Sequence, residues 1–396
     1  TIPTNLQSQS YDKNDMSFQS RINGSSVINT DFSHQKIIEY LKKSSNPIII
    51  LGNGAHDVLS DEIIHLIETL NIPILTEMSA RGIVPDNHYL CFGLSDQRAN
   101  PIARVISESD LVILLGKELD FTLDFGNHPT ISKSSYIIQV DPDEQILSRS
   151  KRVDLSILSS VGNFVSQIAQ NLNYYKNYKK SPDILKSLEI EVRKHQSSLE
   201  KYRNDNELIH SMDIHFALNR ILDEKQCMVF EGSDFAFYGA SYYPANERDR
   251  WFVNGVLGMI GWGVPFGIGA KVALPDEQVI VFTGDGASGF NLMEIDTAVR
   301  NKINVKIIIG CDSVWGIDYH QQVQFFDNPV ATNLNFVNYE NIAKATGAYG
   351  DLIEKKSELN SKLSKFLAHE GPGILNIKTI PSPSPLTRHI MDNKEY

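Results

Sequence analysis

The stretch "GDGASGFNLMEIDTAVRNKINVKIIIGCDSVWGI", residues 284–317, decides the fold of the second half of the chain. A Gly-Asp-Gly turn follows the strand-like "QVIVFT", and a helical pattern then leads to the apolar run "VKIIIGC" and a second aspartate, Asp312. Short runs rich in Val and Ile read as parallel strands buried on both faces. Parallel strands joined by a helix present their carboxyl ends on one edge, where open α/β sheets take their ligands. Asp285 and Asp312 therefore fall at neighbouring strand ends, and two carboxylates so placed suit a hard divalent cation such as magnesium. The small residues after Asp285 leave the amides of Gly286, Ala287 and Ser288 open to a diphosphate, ahead of a helix expected to begin near Asn291. A lone Gly-Asp-Gly is more often plain turn chemistry. Its coupling to "CDSVWG" one helix and one strand later favours the metal and diphosphate reading.

The same rhythm extends outward. Upstream, "SMDIHFALNRILDE" has helical period, "CMVFEGSDF" is a strand leading to a polar turn, and "NGVLGMIGWGVPFGIGAKVAL" is dense in glycine. Glycine inside a helix costs about 0.5–1 kcal/mol relative to alanine, so that density points to close approach of something to the backbone. From residue 33, "HQKIIEYLKKS", "NPIIILGNGAH", "SDEIIHLIETLN" and "IPILTEM" alternate helix and strand, and "LVILLG" and "SSYIIQVDPDEQIL" continue the pattern. The expected fold is α/β, with two doubly wound parallel-sheet domains at 33–172 and 206–380. Between them, 173–205 is dense in charge and tyrosine and reads as a solvated helical connector, the lysines of "KNYKK" included. Residues 1–32, polar and rich in Ser and Asn, read as a linker, and 381–396 as a C-terminal tail.

Composition narrows the function classes. The net charge of -11 argues against a nucleic-acid partner, whose phosphates the average surface would repel. Cys91, Cys227 and Cys311 are scattered without CxxC spacing, which speaks against a zinc site or disulfide framework and for a reducing compartment, the cytoplasm. The apolar runs fall far short of the roughly 20 residues of a membrane helix. The turn "LGNGAH" lacks the full dinucleotide spacing, although Glu77 stands near the distance of a ribose-binding acid and keeps a nucleotide-binding oxidoreductase as a minor alternative. His320 reads as a surface or capping histidine rather than a proton-transfer group, and Phe235, Phe237 and Tyr238 as core packing rather than a pocket lining.

The coupled "GDG" and "CDSVWG" motifs, with "GVLGMIGWGVPFGIGAK" before them, resemble the thiamine-diphosphate-dependent decarboxylases, lyases and carboligases. The resemblance covers nearly the whole chain. It implies a Rossmann-like central domain at 33–172 and a thiamine-diphosphate-binding fold at 206–380. Carried over by position, it implies magnesium ligands at Asp285, Asp312 and the backbone carbonyl of Val314. Diphosphate and cofactor contacts would come from Gly284, Gly286, Ala287, Ser288 and Trp315. Ile260 would be the apolar wedge that bends the cofactor, and the Gly258 carbonyl would accept a hydrogen bond from its aminopyrimidine. Cys311 stands where many relatives carry Asn, a position that precedes the metal ligand.

The family also activates its cofactor with a glutamate on an N-terminal pyrimidine-binding domain. No such domain is recognisable before residue 33, so the glutamate is expected from a longer chain or a partner chain. "GDGASGFNLMEIDTAVR" and "CDSVWGI" are most similar to acetolactate-synthase-like proteins, whereas "LDFTLDFG" resembles the branch of 2-hydroxyacyl-CoA and oxalyl-CoA lyases. The acetolactate-synthase-like reading, with a 2-oxo acid substrate and a place in branched-chain amino acid synthesis, is preferred. A CoA-dependent lyase, or a cofactor-binding subunit inactive without its partner, stays open. The central domain would then hold FAD in the first branch or an adenine nucleotide in the second. A homo-oligomer is implied in either case.

Overall fold

Runs such as "PIIIL" and "LVILL" become strands buried along their whole length, because helices cover both faces of the sheet. The computed structural model describes residues 34–175, 182–203, 207–222, 225–232, 234–255 and 257–393. The linker expected at 1–32 and the lysine cluster at 176–180 lie outside them.

The first half contains β1 (Pro47–Leu51), β2 (Ile74–Thr76), β3 (Cys91–Leu94), β4 (Leu111–Leu115), β5 (Tyr136–Asp141) and β6 (Leu155–Leu158). They form one parallel sheet in the order β3-β2-β1-β4-β5-β6. The second half contains β7 (Gln226–Glu231), β8 (Trp251–Val253), β9 (Gln278–Gly284), β10 (Val305–Cys311), β11 (Tyr349–Ile353) and β12 (Gly373–Lys378). Its parallel order is β11-β12-β10-β9-β7-β8. Two doubly wound α/β domains are thus present, as the strand and helix rhythm predicts.

Between the sheets, the helix Ile184–Glu200 buries Ile184, Leu188 and Leu199, and the first two join the core around Ile102 and Ile106. The two domains dock directly. Gly82, at φ +80°, lies so close to Glu247 that an added Cβ would stand 2.1 Å from its carbonyl oxygen. Arg248 donates to the Val58 carbonyl at 3.1 Å and to the His56 carbonyl. The Asp86 amide donates to the Ala245 carbonyl, and the Ala245 amide returns a bond to the Asp86 carboxylate at 2.9 Å.

One boundary differs from expectation. The helix after β9 begins at Asp285, six positions before Asn291, so the Gly-Asp-Gly sequence is its first turn rather than a loop ahead of it. Gly286 is a poor helix former, and its close packing against the Trp315 ring accompanies the helical start.

Two expectations follow from the packing. Gly82→Ala combines a left-handed backbone with a clash against the other domain, and is expected to cost about 1–3 kcal/mol. An unchanged urea midpoint would remove this contact from the docking account. The second concerns the helix Ser211–Leu218, where burial holds His210 down at about 4 and His215 at about 3. Both take protons on unfolding once the pH falls below about 6.5, so stability should decline from there toward the folded values. His215→Phe, placed among Phe235, Tyr243 and Phe282, should flatten part of that decline. An identical profile in the variant would exclude His215 as a contributor.

Candidate functional site

The register of β9 against β10 pairs Gly284 with Gly310, so Asp285 and Asp312 emerge side by side from adjacent strand ends. Asp285 is buried and heavily bonded. Its carboxylate accepts from the Gly286 and Ser313 amides, both at 2.8 Å, and from the Cys311 thiol at 3.4 Å. Its backbone carbonyl accepts from the buried Tyr339 hydroxyl at 2.8 Å. Ser313 takes a left-handed φ of 63°, which turns its amide toward Asp285. Asp312 accepts from the Val314 amide at 3.2 Å. The segment is then fixed to its neighbour by Trp315 donating to Thr332 and Leu334 donating to Ser313, bonds that leave the Val314 carbonyl outside the ladder.

Burial pushes both carboxyls up. For Asp285 the hydrogen bonds from Ser313 and Gly286 oppose the shift. For Asp312 burial is joined by repulsion from Asp285, which carries it to about 8. Two acids that repel one another in a dry site favour a cation between them.

A cavity of about 470 Å3 opens over this pair, at the junction of the two domains. Its walls include Gly258, Ile260, Gly284, Asp285, Gly286, Ala287, Asp312, Val314 and Trp315, which the sequence singles out at widely separated positions. Ser288 is the exception. Its side chain is buried behind the wall and donates to the Gly284 carbonyl at 2.8 Å, because one helical step rotates it away from the side presented by Ala287. Phe235 and Phe237 line the cavity, whereas Tyr238 turns away to donate to the Pro383 carbonyl at 2.8 Å. His320 is half-buried, with Nε2 3.8 Å from the Asp234 carboxylate.

Several lining residues carry no motif. Met78, Leu94, Asp96, Arg98 and Phe121 arrive from the central domain, and Leu386 from the helix Pro385–Asn393. Arg98 is the single cation among the described lining residues. Asp96 holds its guanidinium at 2.6 Å and the Phe121 ring lies 4.8 Å beneath it. Only docking of the domains brings these groups to the site, so no local signal could have found them.

The residues fit a hard cation bridging to a diphosphate. Two carboxylates and a main-chain carbonyl are oxygen donors of the right kind, and an added Cβ at Gly284 would meet nothing within 4 Å, so space lies above it. Among the described residues no group of three or more His, Cys, Asp or Glu side chains forms a metal cluster. No described helix is long and apolar enough to cross a membrane.

Comparison with known proteins accords with the geometry. The thiamine pyrophosphate enzyme central domain matches residues 34–168, and the C-terminal thiamine pyrophosphate binding domain matches residues 232–377. The chain belongs to the thiamine pyrophosphate enzymes, and its domains indicate thiamine diphosphate as cofactor. Human 2-hydroxyacyl-CoA lyase 2 is 30% identical over 332 residues, covering 82% of this chain and 51% of the relative. An acetolactate synthase large subunit of Mycobacterium tuberculosis is 27% identical over 346 residues, covering 86% and 61%. The isozyme 1 large subunit of Escherichia coli acetolactate synthase is 24% identical over 344 residues, covering 85% and 59%. The chain thus spans about half the length of the curated relatives it matches.

Gly286 offers a direct test of the wall. An added Cβ would lie 2.6 Å from the Trp315 ring, so Gly286→Ala must displace the indole. Overpacking of this kind costs about 1–3 kcal/mol. The variant should show a changed near-ultraviolet tryptophan spectrum and a lower unfolding midpoint, and superimposable spectra would rule out the contact.

Proposed function

We propose that this chain carries the catalytic centre of a thiamine-diphosphate- and magnesium-dependent decarboxylase or carboligase of the acetolactate-synthase-like type, acting on a 2-oxo acid. The observation that carries the reading is the convergence of Asp285, Asp312, Gly286 and Ile260 on one cavity. Asp285, Asp312 and the Val314 carbonyl would hold magnesium. Gly284, Gly286 and Ala287 would line the diphosphate, and Ser288 would brace that turn from behind. Ile260 would act as the apolar wedge, with Gly258 offering its carbonyl to the aminopyrimidine and Trp315 packing beneath the phosphate turn. When bound, thiamine diphosphate supplies the electron sink for cleaving or forming a carbon–carbon bond next to a carbonyl.

The chain's own residues would do the rest. Leu94, Phe235, Phe237 and Trp251 exclude water from the reacting end and so strengthen every charge interaction there. Arg98, held by Asp96, would be the cation facing the carboxylate of a 2-oxo acid. The described lining residues include no glutamate, so the activating glutamate implied by the family would reach the site from other residues or from a partner chain. A second reading, cleavage of a 2-hydroxyacyl-CoA, is favoured by the similarity to the human lyase.

Calorimetric titration of the full-length protein with thiamine diphosphate should give magnesium-dependent binding that Asp285→Ala abolishes. Carbon dioxide release from pyruvate would then support the synthase-like reading. Aldehyde release from a 2-hydroxyacyl-CoA, with pyruvate inert, would replace it with the lyase. Binding that ignores both magnesium and Asp285 would overturn the site itself.

A further inference from the structure

The central domain has its own ligand edge, and side chains of this chain fill it. In an open sheet of this order the crevice lies where the strand order reverses, here between β1 and β4. The turns leaving those strands are in contact. The Gly52 amide donates to the Leu115 carbonyl at 2.9 Å, and the Gly54 amide to the Gly116 carbonyl at 2.8 Å. A Cβ added at Gly52 would stand 2.4 Å from the Gly116 oxygen, and one at Gly116 2.6 Å from the Gly54 backbone. Glycine here serves the approach of one backbone to another rather than of a backbone to a phosphate. Nor does a helix start at the turn. A short 3-10 segment at Asn53–Ala55 intervenes, and the next helix opens only at Ser60.

Lys117 follows directly and is 1% exposed. Its ammonium pairs with Glu77 at 3.0 Å and with Asp120 at 2.6 Å. The Thr122 hydroxyl donates to Asp120 at 2.6 Å and lies 3.5 Å from Glu77, which closes a ring of four side chains over the ends of β2 and β4. Gln139, from β5, donates to the Lys117 carbonyl at 3.0 Å. Glu77 is the residue that sequence spacing offers as a ribose-binding acid, yet it serves as a buried counter-ion. The ring also touches the cofactor cavity through the chain, because Met78 follows Glu77 and Phe121 follows Asp120, and both line it. Phe121 in turn carries Arg98 on its face.

We propose that Lys117 occupies the place of a nucleotide in the central domain and, through Glu77 and Asp120, positions Met78 and Phe121 as one wall of the cofactor cavity. The central domain accordingly takes neither FAD nor an adenine nucleotide, which departs from what the family resemblance implies. The positioning half of the inference rests on the function proposed above; the crevice half does not.

The test uses the full-length protein. Equilibrium dialysis against FAD and against ADP should show no saturable binding, under conditions where thiamine diphosphate with magnesium saturates. One FAD or ADP retained per chain would overturn the proposal. Failure of thiamine diphosphate itself would count against the proposed function, and FAD or ADP retained by that protein would still overturn the crevice half. Lys117→Met alone strands Glu77 without its counter-ion and can simply fail to fold. The deciding variant is therefore Lys117→Met with Glu77→Gln, which keeps the volume and removes the charges of the fully buried pair, leaving of the ring's three charges only Asp120, whose side chain reaches water. With pyruvate as probe, its KM should rise about tenfold with kcat nearly unchanged, the pattern of lost substrate positioning. A folded double variant with wild-type KM would refute the positioning role.

Discussion

Two acids that emerge side by side from β9 and β10 at the floor of one cavity cannot readily both carry charge, and the surrounding structure is organised around keeping them there. Burial and the neighbouring Asp285 push Asp312 up to about 8, so near neutral pH it keeps its proton and the pair carries a single charge. Asp285 is fixed by several donors. The Ser313 and Gly286 amides and the Cys311 thiol all donate to Asp285, and the Tyr339 hydroxyl fixes its carbonyl from a different part of the fold. A left-handed Ser313 is the local strain this arrangement tolerates. The same restraint explains why glycine stands at 286 and 310, where a Cβ would strike Trp315 or Phe235.

That constraint is local in sequence, which is why it could be read there. Residues 284–317 contain both acids, the crossover helix and the second strand, so the spacing alone determines their separation once a parallel sheet is assumed. The strands themselves were legible for a related reason: "LVILL" has no polar residue and "VKIIIGC" only Lys306, and a sheet covered on both faces accommodates them. The start of the helix at Asp285 was not legible. Glycine propensity argues for a turn, and it is Trp315, close in space but a helix and a strand away in sequence, that packs against Gly286. The turning of the Ser288 side chain away from the cavity follows from that earlier start.

The central-domain wall could not be read at all. Arg98 and Phe121 owe their place to docking contacts between segments more than a hundred residues apart, such as Arg248 with Val58 and Gly82 with Glu247. Glu77 shows the opposite hazard. Its distance from the glycine turn was right for a ribose ligand, but the sequence could not reveal that Lys117 lies against it. Topology fixes where a sheet can bind something, while the side chains at that edge decide whether the place is open.

The cavity has walls from both domains, and this joins two equilibria that would otherwise be separate. Any molecule held between Asp285 on one side and Phe121 on the other is bound only while the domains are together, so its binding free energy adds to their association. Separation of the domains and loss of the bound molecule become one thermodynamic event. The ligated protein therefore resists domain opening by a free energy that grows with the logarithm of ligand concentration, although none of the contacts between the domains themselves has changed.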